Sequence, residues 1–310
     1  MIKIQKNKPP YFPSLLRRRL KGWLLIFFLV IGFYLLVFKL RNSAFFQKKD
    51  RINLVIHNQQ MFFYSLGLSD NINYFISFYP DLEIIVPGGY GRYRLGALAK
   101  LAGLEKDPDL LGKTYSFMTS SFLDYFFYPD TGLDQTQVEF GKTRREFYLP
   151  RFSEIFFAKS NAGLLDRLYI YSQFLGKTKS KFKLTDKIPI NNQGNRAIFL
   201  PGDFYKSYQG LFYQESYRKE KQNVQIVYTK SYLTAQIISQ ILEGEGIRVV
   251  DLNQESLTNK KCEVVEDDRD FSQTALAISR FLRCRLSIGE TQAYDIILKL
   301  GEVEEKWEVE

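Results

Sequence analysis

The sequence predicts an α/β protein built as a single N-terminal transmembrane helix, a larger α/β domain and a small C-terminal α/β domain. Three observations lead there: a seventeen-residue run without charge near the N-terminus, alternating strand and helix patterns along residues 51–128, and a second alternation over the last ninety residues. With 310 residues, 45% of them hydrophobic and 16% aromatic, the chain has apolar surface enough for packed cores.

A formal charge of +9 invites a nucleic-acid reading, but its distribution removes it. Residues 1–51 contain twelve Lys and Arg against Asp50 alone, whereas residues 52–310 contain 31 basic and 33 acidic side chains. The basic character belongs to the N-terminal segment, and the folded part offers no broad positive field for polyphosphate.

Gly22 to Phe38 reads GWLLIFFLVIGFYLLVF, bounded by Lys21 and by Lys39 and Arg41. That length is the lower end of a spanning helix, and flanking lysines can snorkel to extend it. A buried core helix is the alternative, but a soluble helix shows a polar stripe within such a length. Seven basic residues precede the run and five follow it, so the positive-inside rule puts residues 1–21 in the cytoplasm and the main domains outside, at the cell membrane. Cleavage is not expected, because Asn42-Ser43-Ala44 has Asn where a small residue is wanted. Trp23 and Tyr34 suit the two interfaces.

Residues 46–176 read as the larger domain. RINLVI (51–56), NINYFISFY (71–79) and LEIIV are strands, the second turning at Pro80-Asp81. PGGYG then leads into RYRLGALAKLAGL, a helix with Leu95, Leu98, Ala99 and Ala102 on one face. Asp107-Pro108 opens another helix, to about Phe122, and Asp124–Tyr128 returns as a strand. Residues 129–150 are polar and turn-rich, residues 151–176 look helical, and residues 177–221 are expected as an irregular linker.

Residues 222–310 repeat the alternation: NVQIVYT, a helix with Leu233, Ile237, Ile238, Ile241 and Leu242 on one side and a stop at Gly244 and Gly246, then IRVVDL. CEVV, a helix capped near Ser272 and YDIILKLG follow, implying three or four strands with helices against them. Four residues of the CEVV strand climb roughly 13 Å and twelve helical residues return roughly 18 Å, which brings Cys262 and Cys284 to one end of the unit. An oxidising compartment permits a disulfide there; two separately buried thiols are the other reading.

Chemistry is sparse. No G-x-G-x-x-G, G-x-S-x-G, H-E-x-x-H or Walker sequence occurs, and His57, the only histidine, ends a strand and reads as structural. What remains is Asp70 at the entry to a strand, with Arg92 and Arg94 past the glycine-rich turn. One carboxylate and two guanidinium groups suit a divalent cation and a pyrophosphate, and equally suit a surface ion pair.

The order of the pieces resembles the LytR-CpsA-Psr family: a membrane helix, R-x-N-L-V-I, a Ser69-Asp70 turn, VPGGYGRYRLGALAKLAGL, PDLLGKTYSF and a D-Y-F-F strand. The last ninety residues resemble the LytR C-terminal domain often attached to it. The resemblance implies an extracytoplasmic envelope protein whose partners are the lipid bilayer and a polyprenyl-phosphate lipid or cell-wall glycopolymer. In that family a glycopolymer moves from polyprenyl pyrophosphate to the wall, with Asp70 as the matching metal ligand for Mg and Arg92 and Arg94 as substrate-binding and catalytic groups on the pyrophosphate. The family's Pro-Arg-Asp segment has no counterpart between Tyr79 and Val86, and its later arginine cluster has none between residues 129 and 220. Three readings stay open: binding without efficient catalysis, Mg-dependent phosphotransfer, and a structural module for envelope protein interaction. Phe62, Phe63, Phe75, Phe117, Phe122 and Phe126 are candidates for an apolar substrate wall or for an ordinary core.

The expected topology has a direct check. Protease added outside intact cells should digest residues beyond 45 and leave an N-terminal epitope protected; digestion of the epitope would reverse the orientation.

Overall fold

The structure is a computed structural model that describes residues 23–24, 26–34, 37, 40, 43–47, 49–58, 60–129, 147–185, 187–256 and 261–309. The chain divides into two compact units, Met1–Lys48 and Lys49–Glu310. In the first, residues 26–34 are helical, with Phe28, Phe33 and Tyr34 exposed. Among the described residues no helix is long and apolar enough to cross a membrane. The basic tail 1–21, and positions 22, 25, 35, 36 and 38 of the expected span, lie outside the described residues.

The second unit is a mixed α/β structure with three sheets. It begins with β1 (Arg51–His57), β2 (Met61–Gly67) and β3 (Asn73–Phe78), three consecutive antiparallel strands. Every residue of β1 and β2 is buried, because both faces of this sheet are covered. That two-sided burial is why MFFYSLG shows no alternation and why the sequence gives no sign of β2. The sheet is completed by β6 (Tyr125–Tyr128), parallel to β1, by the short β7 (Lys159–Ser160), and by β8 (Phe182–Thr185), parallel to β3.

Between β3 and β6 the chain forms β4 (Glu83–Val86), β5 (Gly91–Arg94), α1 (Leu98–Leu104) and α2 (Asp109–Thr119). Asp107 Oδ1 accepts from the Asp109 N–H at 3.0 Å, so the expected acid does anchor the start of α2. The helix stops at Thr119, three residues earlier than expected, because Ser120 turns left-handed at φ 48°. Leu111, Tyr115 and Met118 of α2 join Val55, Phe63, Ile76 and Phe78 in one apolar cluster. His57 is buried there against Tyr115, its Nδ1 2.9 Å from the hydroxyl, and desolvation lowers its pKa to about 4. A neutral, structural histidine results.

The opposite face of the sheet is aromatic. Tyr64 packs edge-on to Phe174 with centroids 5.1 Å apart, and Phe62 stacks on Tyr148 at 4.8 Å. Phe174 ends α4 (Leu164–Phe174), which follows α3 (Phe152–Phe156). The helical stretch expected over 151–176 is therefore two helices, broken by β7 and by the turn at Ala162-Gly163.

Residues 177–221 are not an irregular linker. They hold β8, then β9 (Ile190–Gln193) and β10 (Arg196–Phe199), then α5 (Pro201–Tyr208) and α6 (Glu215–Glu220). β10 pairs with β4 and β9, forming the second sheet in the order β5-β4-β10-β9. The charged sequence hides this because β9 is largely exposed and needs no apolar alternation.

The third sheet contains β11 (Asn223–Tyr228), β12 (Arg248–Gln254), β13 (Glu263–Glu266), β14 (Arg285–Ile288) and β15 (Ile296–Lys299), in the order β12-β11-β15-β13-β14. Five strands replace the expected three or four; RLSI, two of whose four residues are exposed, is the one without an apolar signature. α7 (Tyr232–Gly244) and α8 (Gln273–Leu282) supply Ile237, Ile238, Ile241 and Ile278 to its core, and α9 (Val303–Lys306) follows β15. Ser272 caps α8, its hydroxyl accepting from the Ala275 N–H at 3.0 Å. Cys262 and Cys284 form a disulfide with Cα atoms 4.8 Å apart, within the range a bridge requires.

The first and third sheets meet at residues 120–124. A Cβ added to Gly244 would stand 1.7 Å from the Ser120 carbonyl oxygen, so α7 approaches this strip as closely as it does because residue 244 is glycine. The next residue, Glu245, is fully buried, and its carboxylate accepts the Phe122 N–H at 2.9 Å. Desolvation, then the charge of Asp124, raises its pKa to about 8, against the pull of the bonds from Phe122 and Gln214.

An unfolded glutamate releases its proton near the ordinary value of about 4.3, whereas folded Glu245 keeps it to about pH 8. Stability from this group is full below the unfolded pKa and drains as pH rises to 8. Thermal melts should show the wild-type Tm falling on the order of 5 °C more between pH 5 and pH 8.5 than that of Glu245→Gln. Parallel curves for the two proteins would remove the charge of Glu245 from the account.

Candidate functional site

Asp70 sits in the turn between β2 and β3. Its Oδ1 accepts the Ile72 N–H at 2.9 Å and its Oδ2 accepts from Arg51 Nη2 at 2.7 Å. Arg51 is only 3% exposed, donates Nη1 to Ser65 Oγ at 3.2 Å and to the Ile72 carbonyl at 2.9 Å, and lies over the Tyr74 ring. The sequence counts Arg51 among the charges flanking the expected anchor; in the fold it is a buried cation. Among the described residues Asp70 is its one carboxylate partner.

Arg92 and Arg94 lie on β5, a strand where a helix is expected, and so on the second sheet rather than the first. Gly88 and Gly89, at φ 96° and 74°, make the turn before it, and their N–H groups donate to the Glu308 carbonyl at 2.8 and 3.1 Å. Arg94 stands opposite Glu83 and Arg92 opposite Ile85. From β10, Arg196 donates Nε to Glu83 Oε1 at 2.6 Å and Nη2 to Oε2 at 2.5 Å. That bidentate bond, then the charges of Arg196, Arg94 and Arg92, holds the Glu83 carboxyl below its usual range. Arg94 Nη1 is also 3.9 Å from Asp81 Oδ1. Arg92 is exposed and, among the described residues, makes no ion pair. Three guanidinium groups thus share one sheet face with one tightly bound carboxylate, a surface suited to phosphate oxygens.

The three expected residues are held by different sheets. Asp70 is engaged by Arg51 on the first sheet, and the two arginines flank Glu83 on the second. A cleft of about 420 Å³ is lined instead by Phe126, Tyr128, Asp109, Lys159, Asn161 and Arg167, with Pro108, Ala158 and Ser160. Arg167 gives Nη1 to the carbonyls of Ile155, Phe156 and Ala158, and Nε to that of Ala162. Burial among these neutral acceptors lowers its pKa. Of the six phenylalanines named from sequence, all are buried, and Phe126 alone lines this cleft.

The donor set around Asp70 does not fit Mg. A hard divalent cation takes six oxygen ligands or so, and here a guanidinium occupies one oxygen of a single acid while a backbone N–H takes the other. Among the described residues no group of three or more His, Cys, Asp or Glu could hold a metal ion.

Three sheets with helices packed against them define a mixed α/β protein. No family model matches the chain, and no curated protein matches it. Solved structures similar to it include B. subtilis TagT, at 11% identity and a TM-score of 0.35, covering 54% of this chain and 91% of that one. TagV of B. subtilis is similar at 10% identity and 0.35, covering 52% and 95%. TagU of B. subtilis follows at 8% and 0.35, covering 51% and 94%.

The pairing of Asp70 separates a structural role from a metal-binding one. Asp70→Ala should lose about 1–3 kcal/mol in chemical denaturation, since it strands a buried guanidinium. Arg92→Ala should stay within about 0.5 kcal/mol of wild type. An Asp70→Ala protein of wild-type stability would free the carboxylate for another task.

Proposed function

We propose that this chain is a divergent LytR-CpsA-Psr-type envelope protein. It is held by residues 22–38 in the cell membrane with its domains outside, and it binds a cell-wall glycopolymer or polyprenyl-linked precursor without efficient transfer. The order of sequence pieces supports the family reading, and the Cys262–Cys284 disulfide fits an oxidising compartment. The observation that carries the binding role is the Arg51–Asp70 pair: the acid that phosphotransfer would need for its metal is committed to a buried arginine. Arg92 and Arg94 keep their exposure, and guanidinium forks bind phosphate oxygens without a metal. Such a surface holds an anionic headgroup in ground and transition state alike, which gives affinity without rate.

The test uses the purified full-length chain in detergent with a labelled glycopolymer on polyprenyl pyrophosphate. The donor should be retained without release of lipid product, with or without magnesium. Arg92→Ala with Arg94→Ala should weaken retention about tenfold or more. Magnesium-dependent turnover that disappears in Asp70→Asn would replace this reading with the phosphotransferase. A wild-type protein that retains no donor would leave the structural envelope module.

A further inference from the structure

Helix α4 is apolar on two sides. Ile170 and Phe174 are buried beneath it, yet Leu164 and Leu168, one turn apart, are 69% and 51% exposed. Leu175, just past the helix, is 62% exposed, and Phe157 at the end of α3 is 73% exposed. Phe152 joins the two helices into one surface, its ring 6.1 Å from Phe157 and 5.4 Å from Tyr171 of α4. Among the described residues of the second unit, ten large apolar side chains are strongly exposed, and five of them fall within residues 152–175. Scattered exposed leucines need no explanation, but a contiguous set does.

Charge says what the set faces. Residues 151–183 hold seven basic side chains and two acidic ones, while the rest of residues 52–310 hold 24 basic and 31 acidic. The excess is sharpest directly after Leu175, where Lys177, Lys179, Lys181 and Lys183 follow within eight positions. Lys179, Lys181 and Lys183 are exposed. Apolar knobs beside a lysine cluster, in an otherwise acidic domain, match the interface of an anionic bilayer, with acyl chains for the knobs and headgroup phosphates for the lysines.

We propose that the α3–α4 surface docks on an anionic lipid bilayer, laying the domain against the membrane. The full-length chain, reconstituted into vesicles of phosphatidylcholine alone or with about one third phosphatidylglycerol, is followed by amide hydrogen exchange. Residues 164–175 should exchange at least about threefold more slowly on the anionic vesicles, while residues 232–244 do not change. The difference should vanish at about 1 M salt, where charges are screened within roughly 3 Å. It should vanish also in Leu164→Ser with Leu168→Ser, a pair whose exposed positions leave the Tm unchanged. Equal exchange on both vesicles overturns the proposal, as does protection that survives the double substitution. Protection that grows with protein concentration in the absence of lipid overturns it too, by assigning the face to a second copy of the chain.

Discussion

The structure of Lys49–Glu310 turns on a short strip, residues 120–124, between the end of α2 and the start of β6. Its backbone is bound from both sides. Glu245 accepts the Phe122 N–H, and Asp124 accepts the Asn53 N–H at 2.8 Å while pairing with Lys49. Gln214 closes the circle: its N–H donates to the Glu245 carbonyl, and its side chain bonds the Asp50 and Arg51 N–H groups and the Arg51 carbonyl. The start of β1, the start of β6 and the end of α7 are thereby fixed at one place. Phe122 stacks on Phe281 of α8 at 4.1 Å, so the polar clasp sits over an apolar one. Glu245 is tolerated there because a protonated carboxyl costs far less to bury than a charged one.

The same clasp sets the electrostatics of the rest. Fixing the start of β1 holds Arg51 inside the sheet, and a buried guanidinium needs a carboxylate. Asp70 supplies it across the β2–β3 turn. The arginines of β5 lie at the surface beside Ile85 and Glu83, and Arg94 stands 3.9 Å from Asp81.

How much of this the sequence discloses depends on whether burial leaves a period. β1, β3, β4, β11, α7 and α8 are visible as apolar runs or helical faces. β2 is invisible because it is buried on both faces without β-branched residues, and β9 because it is buried on almost none. The region 177–221 is misread for the second reason: strands that pair along exposed edges need backbone partners, not apolar side chains. Asp70, Arg92 and Arg94 are legible in the sequence as charges beside turns. Their separation onto two sheets depends on register, and the role of Arg51 depends on pairing partners far along the chain, neither of which a local pattern encodes. Arg167, likewise, has carbonyl partners that only the fold assembles.

The Gln214 clasp has a bearing on how the chain reaches this state. Its bonds to Asp50 and Arg51 span more than 160 residues, and that of Glu245 to Phe122 spans 123. During synthesis the first hairpin and α2 emerge long before the residues that tie off their ends. Loop-closure entropy makes such late, distant contacts slow to form. Until residue 245 has appeared, the nascent chain holds a sheet with an unfastened margin and an arginine at its border, which favours a pliable intermediate over early locking.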